Sequence, residues 1–381
     1  MQYRKAKRSF WENEVYPDQY HVVIIGGGIV GLNTAIELKE EDPRLNILII
    51  ERGLNPIGAS TRNAGFACFG SLSEILADLE DQDESEVVET IQMRWMGLKK
   101  LKARVGTEAM EYQTCGSYEL FDHATNELYE NAIDKLYHIN QLLKYEIGPE
   151  AFKKKDEDIA TFGLSQTNHL IFSQYEGQLH PGKMMISLYE MAVRMGVRFL
   201  YGHEVAKIYA SNKAGVQLKN GVQLRGEILI LANNAFSKDL IPELEVQAAR
   251  NQVLISEPNK HLKIKQCFHY NQGYTYFRNV GDRLLIGGAR NLDLLNEATG
   301  EFGLTTKIQD FLKQFIVQKN LLPPKFKIET QWSGILGIGK SKKPIIKEVK
   351  SNTFAAVRLG GMGIAIGTLV AEKIVNEVLN R

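Results

Sequence analysis

The sequence predicts an α/β protein built on a parallel sheet, with a second α+β domain inserted into the first. Three stretches carry that expectation. The apolar run 21–25 (HVVII) passes through a glycine-rich bend into a helix and then a second apolar run, 45–50, that closes on Glu51. The run 227–232 (EILILA) reads as a strand returning to the same sheet after a helical excursion. The run 353–357 (TFAAV) enters a second glycine-rich bend, 360–367, and a terminal helix. Near-continuous apolar runs are expected of strands covered on both faces, as parallel strands are.

The first bend reads Gly26-Gly27-Gly28-Ile29-Val30-Gly31 and satisfies G-x-G-x-x-G through Gly26, Gly28 and Gly31. Gly26 permits the tight turn, Gly28 lets a pyrophosphate approach the backbone, and Gly31 allows close helix–strand contact. The helix that follows, with Ile29, Leu32 and Ile36 on its apolar face, points unpaired N–H groups and a positive dipole end at the phosphates. Glu51 stands about twenty residues further on, where a carboxylate accepts hydrogen bonds from an adenosine ribose and repels a 2′-phosphate. Strand, triplet, helix, strand and acid in that order specify a Rossmann-like dinucleotide site.

Residues 1–20 read as a polar lead-in with interspersed aromatics that packs against the nucleotide domain. The stretch 58–66 (GASTRNAGF) gathers small and hydroxyl residues around Arg62. It suits a loop against an anionic or planar ligand, or equally a helix N-cap at Ser60 or Thr61. Periodicity predicts helices over 84–105 and 128–145, a strand around Tyr118, and a helix after the turn 176–182 that stops at Gly196. Strands dominate 252–288, where alternation puts Tyr274, Tyr276 and Arg278 on one face and 280–282 turns a hairpin. A helix over 304–317 and a strand over 326–332 complete the middle of the chain. The expected division is a nucleotide domain from 1–72, 162–235 and 328–381, with a substrate domain from 73–161 and 236–327.

At 381 residues the chain is long enough for two domains sharing a large core. Its 46 Lys+Arg against 45 Asp+Glu leave a net charge of +1, so no overall pull toward nucleic acid is expected. Local basic runs at 99–104 and 153–155 read as solvated helix faces. The three cysteines, Cys68, Cys115 and Cys267, form no C-x-x-C, which suits a reducing cytoplasm and argues against a thiolate metal site. No signal-peptide core follows the basic N-terminus and no membrane span is visible. A cytoplasmic protein without bound metal is expected.

Gly334 to Ser341 matches G-x-x-x-x-G-K-[ST], but the following KKPII does not open a helix, as a phosphate-binding loop must. The eight histidines show no metal spacing. His269 lies within reach of a pocket near the 274–278 strand, and a structural role for it is the plainer reading. The second bend would aim the N-terminus of its helix at whatever lies there; for a flavin, that is the ring edge that becomes negative on reduction.

IIGGGIVGLNTAIEL (24–38), GASTRNAGF (58–66), GQLHPGK (177–183), ILANNAF (230–236), YTYFRNVGDRLLIGGAR (274–290), WSG (332–334) and RLGGMGIAIG (358–367) follow one another along the chain. In this order they resemble the D-amino-acid-oxidase-like flavoprotein oxidoreductases, the family of glycine oxidase, sarcosine oxidase and gamma-glutamylputrescine oxidase. The resemblance implies non-covalent FAD extended across the first domain, and a substrate domain built on a large, mostly antiparallel sheet with flanking helices. Gly26, Gly28, Ile29, Val30 and Gly31 would meet the pyrophosphate, and Glu51 and Arg52 the ribose end. Ser60, Thr61, Arg62, Asn63, Ala64 and Gly65 would pass the pyrophosphate and flavin. Val205 would face adenine, Ala232 and Asn233 would border the cofactor, and Gly360, Gly361, Met362, Gly363 and Ile364 would touch the ring.

The implied chemistry is oxidation of a C–N bond in an amine or amino acid by hydride transfer to flavin N5, with hydrolysis of the imine. Oxygen, or a quinone or carrier, would take the electrons, the latter making the protein a dehydrogenase. A third possibility is a FAD-binding subunit or an enzyme modifying a macromolecule. Tyr276, Arg278, Trp332 and Arg358 are the expected substrate-pocket residues. Family members that clamp a substrate carboxylate commonly carry an arginine shortly after W-x-G; here Ile335-Leu336 follows, leaving Arg278 and Arg358 as substitutes or as structural ion-pair residues. No cysteine or histidine follows His269, so covalent flavin attachment from that region is not expected.

Overall fold

Two eight-stranded sheets and a two-stranded ribbon organise the computed structural model, which describes residues 7, 9–15, 19–209 and 214–380. In the first sheet, Gln19–Ile25 is central and pairs in parallel with Ile47–Glu51 on one side and Gln223–Leu231 on the other. Arg198–Tyr201 extends the sheet in parallel beyond Ile47–Glu51, and Thr353–Val357 beyond Gln223–Leu231. Ile345–Lys350 closes that edge antiparallel to Thr353–Val357. The βαβ unit and both returning strands are therefore neighbours, as their apolar runs predicted.

The helix Ile29–Glu41 is buried along nearly its whole length because it is sandwiched between the sheet and other helices. Gly363–Leu379 packs against it and against Glu84–Val105. Two glycines allow these approaches: a Cβ on Gly367 would meet Ile29 Cγ2 at 3.0 Å, and one on Gly97 would run into the carbonyl of Ala365. Apolar side chains such as Ile24, Leu32, Ile36, Leu98, Val370 and Ile374 fill the shared core. Each contributes about 1.5–3 kcal/mol by burial.

The second sheet runs in the order Ile328–Ile338, Gln247–Ser256, Arg283–Gly288, Thr275–Val280, Cys267–Tyr270, Ser117–Phe121, His169–Ser173, Lys153–Lys154. All its pairs are antiparallel except Cys267–Tyr270 with Ser117–Phe121. Thr275–Val280 and Arg283–Gly288 form the expected hairpin, with Gly281 at φ +58 in its turn. Its own core mixes aliphatic side chains with aromatic ones, Phe268 stacking on Phe277 at 4.7 Å. Two strands of this sheet, His169–Ser173 and Ile328–Ile338, come from stretches expected in the nucleotide domain. Ile328–Ile338 is also longer than predicted, because it pairs with Gln247–Ser256 over most of its length.

The stretch around Gly334 is thus strand and not a phosphate loop. Of the lead-in, the helix Phe10–Val15 exposes Phe10 and Trp11, and the rest lies largely outside the described residues. Among the described residues, no helix is long and apolar enough to cross a membrane.

Candidate active site

A cavity of about 740 Å³ runs from the first glycine bend, past the second, to one face of the second sheet. The first bend is cut to fit its surroundings. Gly26 sits at φ +109, and a Cβ there would meet the Ala232 carbonyl oxygen at 2.8 Å and the Asn233 nitrogen at 3.0 Å. A Cβ on Gly28 would meet Ser60 Oγ at 2.9 Å, and one on Gly31 would run into the Gly26 carbonyl. Gly28, the residue ahead of the helix that starts at Ile29, has no side chain with which to cap it. Glu51 is buried; its carboxylate accepts hydrogen bonds from the Gly27 N–H (3.0 Å) and the Gly53 N–H (3.0 Å), which fixes it at the cavity wall. At the second bend, a Cβ on Gly360 or Gly361 would meet nothing within 4 Å, so the backbone there borders open space. The helix behind it, Gly363–Leu379, also begins without a side-chain cap.

Most of the expected cofactor residues border this one space: Gly26, Gly28, Ile29, Val30, Glu51, Arg52, Ser60, Arg62, Asn63, Ala64, Gly65, Val205, Ala232, Asn233 and all of 360–364. Gly31 and Thr61 do not. Gly31 serves helix–strand packing, and the Thr61 hydroxyl donates to the Pro56 carbonyl at 2.7 Å. The stretch 58–66 resolves into one turn of helix, Ala59–Arg62, capped by neither Ser60 nor Thr61. Ser60 Oγ instead accepts the Ile29 N–H at 2.9 Å, bridging the loop to the first bend.

Two of the four expected substrate-pocket residues stand elsewhere. Arg278 is buried behind Gly65; its guanidinium donates to the carbonyls of Ala64, Leu179 (3.0 Å) and Asn279 (3.3 Å). Trp332 does not border the cavity either, and its indole N–H donates to the Arg62 carbonyl at 2.9 Å. Arg358 borders it, yet its guanidinium is engaged by the carbonyls of Lys343 and Glu245, both at 3.0 Å. Tyr276 does face the cavity; its oxygen accepts from Asn251 Nδ2 at 3.1 Å, and burial pushes its phenol pKa up.

Sequence reasoning missed Asn234, whose Oδ1 accepts the Arg358 N–H at 3.0 Å and so ties the 232–234 loop to the second bend. It sits at φ +50, which asparagine tolerates, and the residue type was the one hint the sequence offered. His269 is more than structural padding: it borders the cavity, and its Nε2 faces Glu176 at 3.8 Å without a hydrogen bond. Burial disfavours the charged ring, but Glu176, Glu119 and Glu74 outweigh it and raise the His269 pKa. Cys68, Glu176 and His269 bring ligand atoms within 4.8 Å of one another. Glu176 is already held there by the N–H groups of Phe69 (2.7 Å) and Gly70 (3.1 Å) and by the Ser117 hydroxyl.

Two glycine-rich helix starts, a fixed acid and a first bend that excludes Cβ atoms suit an elongated dinucleotide. The family model for FAD-dependent oxidoreductases of the DAO type matches residues 21–377. The chain belongs to this family. It is an FAD-dependent oxidoreductase. No curated protein sequence matches it. Among solved structures, L-proline dehydrogenase from P. horikoshii is similar with a TM-score of 0.76 at 16% identity, over 96% of this chain and 94% of that one. Glycine oxidase from Geobacillus kaustophilus has a TM-score of 0.75 at 19% identity, over 95% of each chain. L-alpha-glycerophosphate oxidase from Mycoplasma pneumoniae, with FAD bound, has a TM-score of 0.76 at 15% identity, again over 95% of each. At these identities the likeness concerns the fold.

Proposed function

We propose that this DAO-family protein oxidises a C–N bond of a small amine or amino acid. The observation that carries the reading is the single cavity joining both glycine bends to the face of the second sheet that bears Tyr274 and Tyr276. FAD, held without a covalent bond, supplies the two-electron acceptor. In this arrangement Gly26, Gly28 and Val30 take the pyrophosphate, Glu51 the ribose, and residues 360–364 the flavin. The second sheet and the helices around it form the substrate half. Its residues orient the substrate and keep water from the reacting bond. Desolvation keeps the half-buried Tyr276 hydroxyl neutral, so that while it accepts from Asn251 its own proton is free to be donated.

The test is anaerobic mixing of the purified protein with a panel of amines and amino acids, following loss of the visible flavin band. Bleaching by members of the panel is expected. A panel that leaves the band intact removes the amine reading while the cofactor assignment stands. Likeness to a dehydrogenase as well as to oxidases keeps a quinone or carrier as a second acceptor; peroxide release in air would decide for oxygen. Acid precipitation should leave the yellow cofactor in the supernatant. Colour remaining in the pellet would contradict non-covalent binding.

A further inference from the structure

Cys68, Glu176 and His269 take no part in the chemistry described so far, yet distant segments bring them together at one wall of the cavity. Cys68 follows the short strand Phe66–Ala67, Glu176 precedes its partner strand Gly177–Gln178, and His269 lies in Cys267–Tyr270. One ligand atom from each lies within 4.8 Å of the other two, and all three residues are buried. Spacing along the sequence could not announce this set, because each member comes from a different part of the chain.

The cluster is incomplete as it stands. His269 is 6% exposed, and its Nε2 finds no hydrogen-bond partner among the described residues. That nitrogen faces Glu176 Oε2 at 3.8 Å, too far for a hydrogen bond. A tetrahedral ion with bonds of about 2.0–2.3 Å holds neighbouring ligands about 3.3–3.8 Å apart, so the gap suits an ion between them. Glu176 is already aimed. The Phe69 and Gly70 N–H groups fix its Oε1, and the Ser117 hydroxyl donates to its Oε2, the work that outer-shell partners do in metal sites. The Cys68 thiol is lightly held, reaching the Gly177 carbonyl at 3.8 Å, whereas Cys267 takes that carbonyl at 3.3 Å. Glu119, a further buried carboxylate, is engaged by Ser71 and Ser73.

Charge balances as well. A thiolate, a carboxylate and a neutral imidazole around a divalent cation sum to zero, which suits a buried place. The thiol gives up its proton to solvent on binding. Against its burial, Glu176, Glu119 and Glu74 raise the His269 pKa, so in the metal-free protein a proton competes for the same ring.

We propose that Cys68, Glu176 and His269 form a binding site for a divalent cation of the zinc type in the cavity wall. Sulfur, nitrogen and oxygen ligands together favour zinc over magnesium or calcium, which take oxygen alone. Cys68 and His269 border the cavity, so the fourth position of the ion opens toward it. Phe66 meets both His269 (5.2 Å) and Tyr276 (5.4 Å) edge-on, which sets the ion near Tyr276. The site goes beyond the amine reading and does not depend on it.

The test is metal binding by tag-free, FAD-loaded protein after treatment with a chelator. Zinc is titrated in competition with a chromogenic chelator, and cobalt is added separately, its thiolate band being read as a difference spectrum. Wild type is compared with Cys68→Ser, His269→Gln and Ser117→Ala, and with Cys115→Ser, a thiol outside the cluster. FAD content and melting temperature show which variants are folded. Wild type is expected to bind one zinc ion per chain and to melt higher with it. Cys68→Ser and His269→Gln should weaken zinc by roughly a hundredfold or more, and Ser117→Ala, which loses only a partner of Glu176, by roughly 10–100-fold. Cys115→Ser should bind as wild type does. The cobalt–thiolate band should appear in wild type and Cys115→Ser and vanish in Cys68→Ser. Absence of zinc binding, or zinc held by Cys68→Ser as tightly as by wild type, overturns the assignment. Should His269→Gln fail to fold, Cys68→Ser, which exchanges a single atom, still decides. Failure of the bleaching panel would remove the amine reading and leave these outcomes untouched.

Discussion

Replacing Gly26 by alanine should cost the protein both stability and FAD, and the structure says by how much. Two penalties act together. The residue sits at φ +109, a region that costs a side-chain-bearing residue about 1–3 kcal/mol. The new Cβ would also lie 2.8 Å from the Ala232 oxygen, 2.9 Å from its carbonyl carbon and 3.0 Å from the Asn233 nitrogen, all backbone atoms with little freedom to yield. Overpacking of that kind adds about 1–3 kcal/mol. The sum, about 2–6 kcal/mol, is a large fraction of the roughly 5–15 kcal/mol that holds a domain folded. The matched control is Gly281→Ala, at φ +58 with nothing within 4 Å of a Cβ, which suffers only the left-handed penalty of about 1–2 kcal/mol. FAD content per protein after purification, and melting temperature with and without added FAD, are the measurements. Gly26→Ala should melt below Gly281→Ala and lose cofactor, whereas Gly281→Ala should keep it. If Gly26→Ala retains full FAD and melts with or above the control, the first bend is not the cofactor's cradle.

Arg278→Ala leaves buried carbonyls of the 64–65 loop and Leu179 without donors, at about 1–3 kcal/mol each. Denaturant unfolding should therefore show a clear loss, together with weaker FAD retention; a variant as stable as wild type but with a raised KM would restore Arg278 to the substrate pocket. The His269 pKa is raised in the folded state by Glu176, Glu119 and Glu74 against its burial, so the native protein binds the proton more tightly than the unfolded chain. That contribution is fully present below the ordinary value of 6.5 and is lost as pH rises through the folded pKa. The stability gap between wild type and His269→Gln should shrink over that rise, and a gap that widens with pH would contradict the assigned charge. Burial pushes the Cys68 thiol up to about 12 and raises that of Cys267, while hydrogen bonding with Cys267, and then burial, raises that of Cys115. A thiol reagent at pH 8 should label the native protein slowly and all three cysteines after denaturation. Rapid labelling of the native state would refute this.

What could be read from the sequence was what local physics decides. The first βαβ unit needs only apolar runs, three glycines and an acid at the right spacing, and all of it folds as read, from Gln19–Ile25 to Ile47–Glu51. The 275–288 hairpin is likewise local. Pairing across long separations escaped. Nothing near residue 117 announces that Ser117–Phe121 lies parallel to Cys267–Tyr270, and nothing near residue 328 assigns Ile328–Ile338 to the second sheet. Alternation put Arg278 on the correct face of its strand. Alternation cannot show that the 64–65 loop stands between that face and the cavity, with carbonyls waiting for the guanidinium.

The loop 59–66 explains why Arg278 and Trp332 sit behind the wall. It is the joint between the two halves of the site. Ser60 receives the Ile29 N–H of the first bend, while Arg62 reaches Ser333, Trp332 reaches back to the Arg62 carbonyl, and Arg278 holds the Ala64 carbonyl. One end of the loop is thereby fixed to the nucleotide sheet and the other to the second sheet. The helices of both bends already form one packed unit through Gly367 and Ile29. A dinucleotide along those helices and a substrate on the second sheet would then be set relative to each other by this loop, and catalysis depends on such placement to within about 1 Å. Arg278 and Trp332 act on that placement from outside the pocket. Substituting them should disturb the cofactor before the substrate, the order that distinguishes a joint from a binding residue.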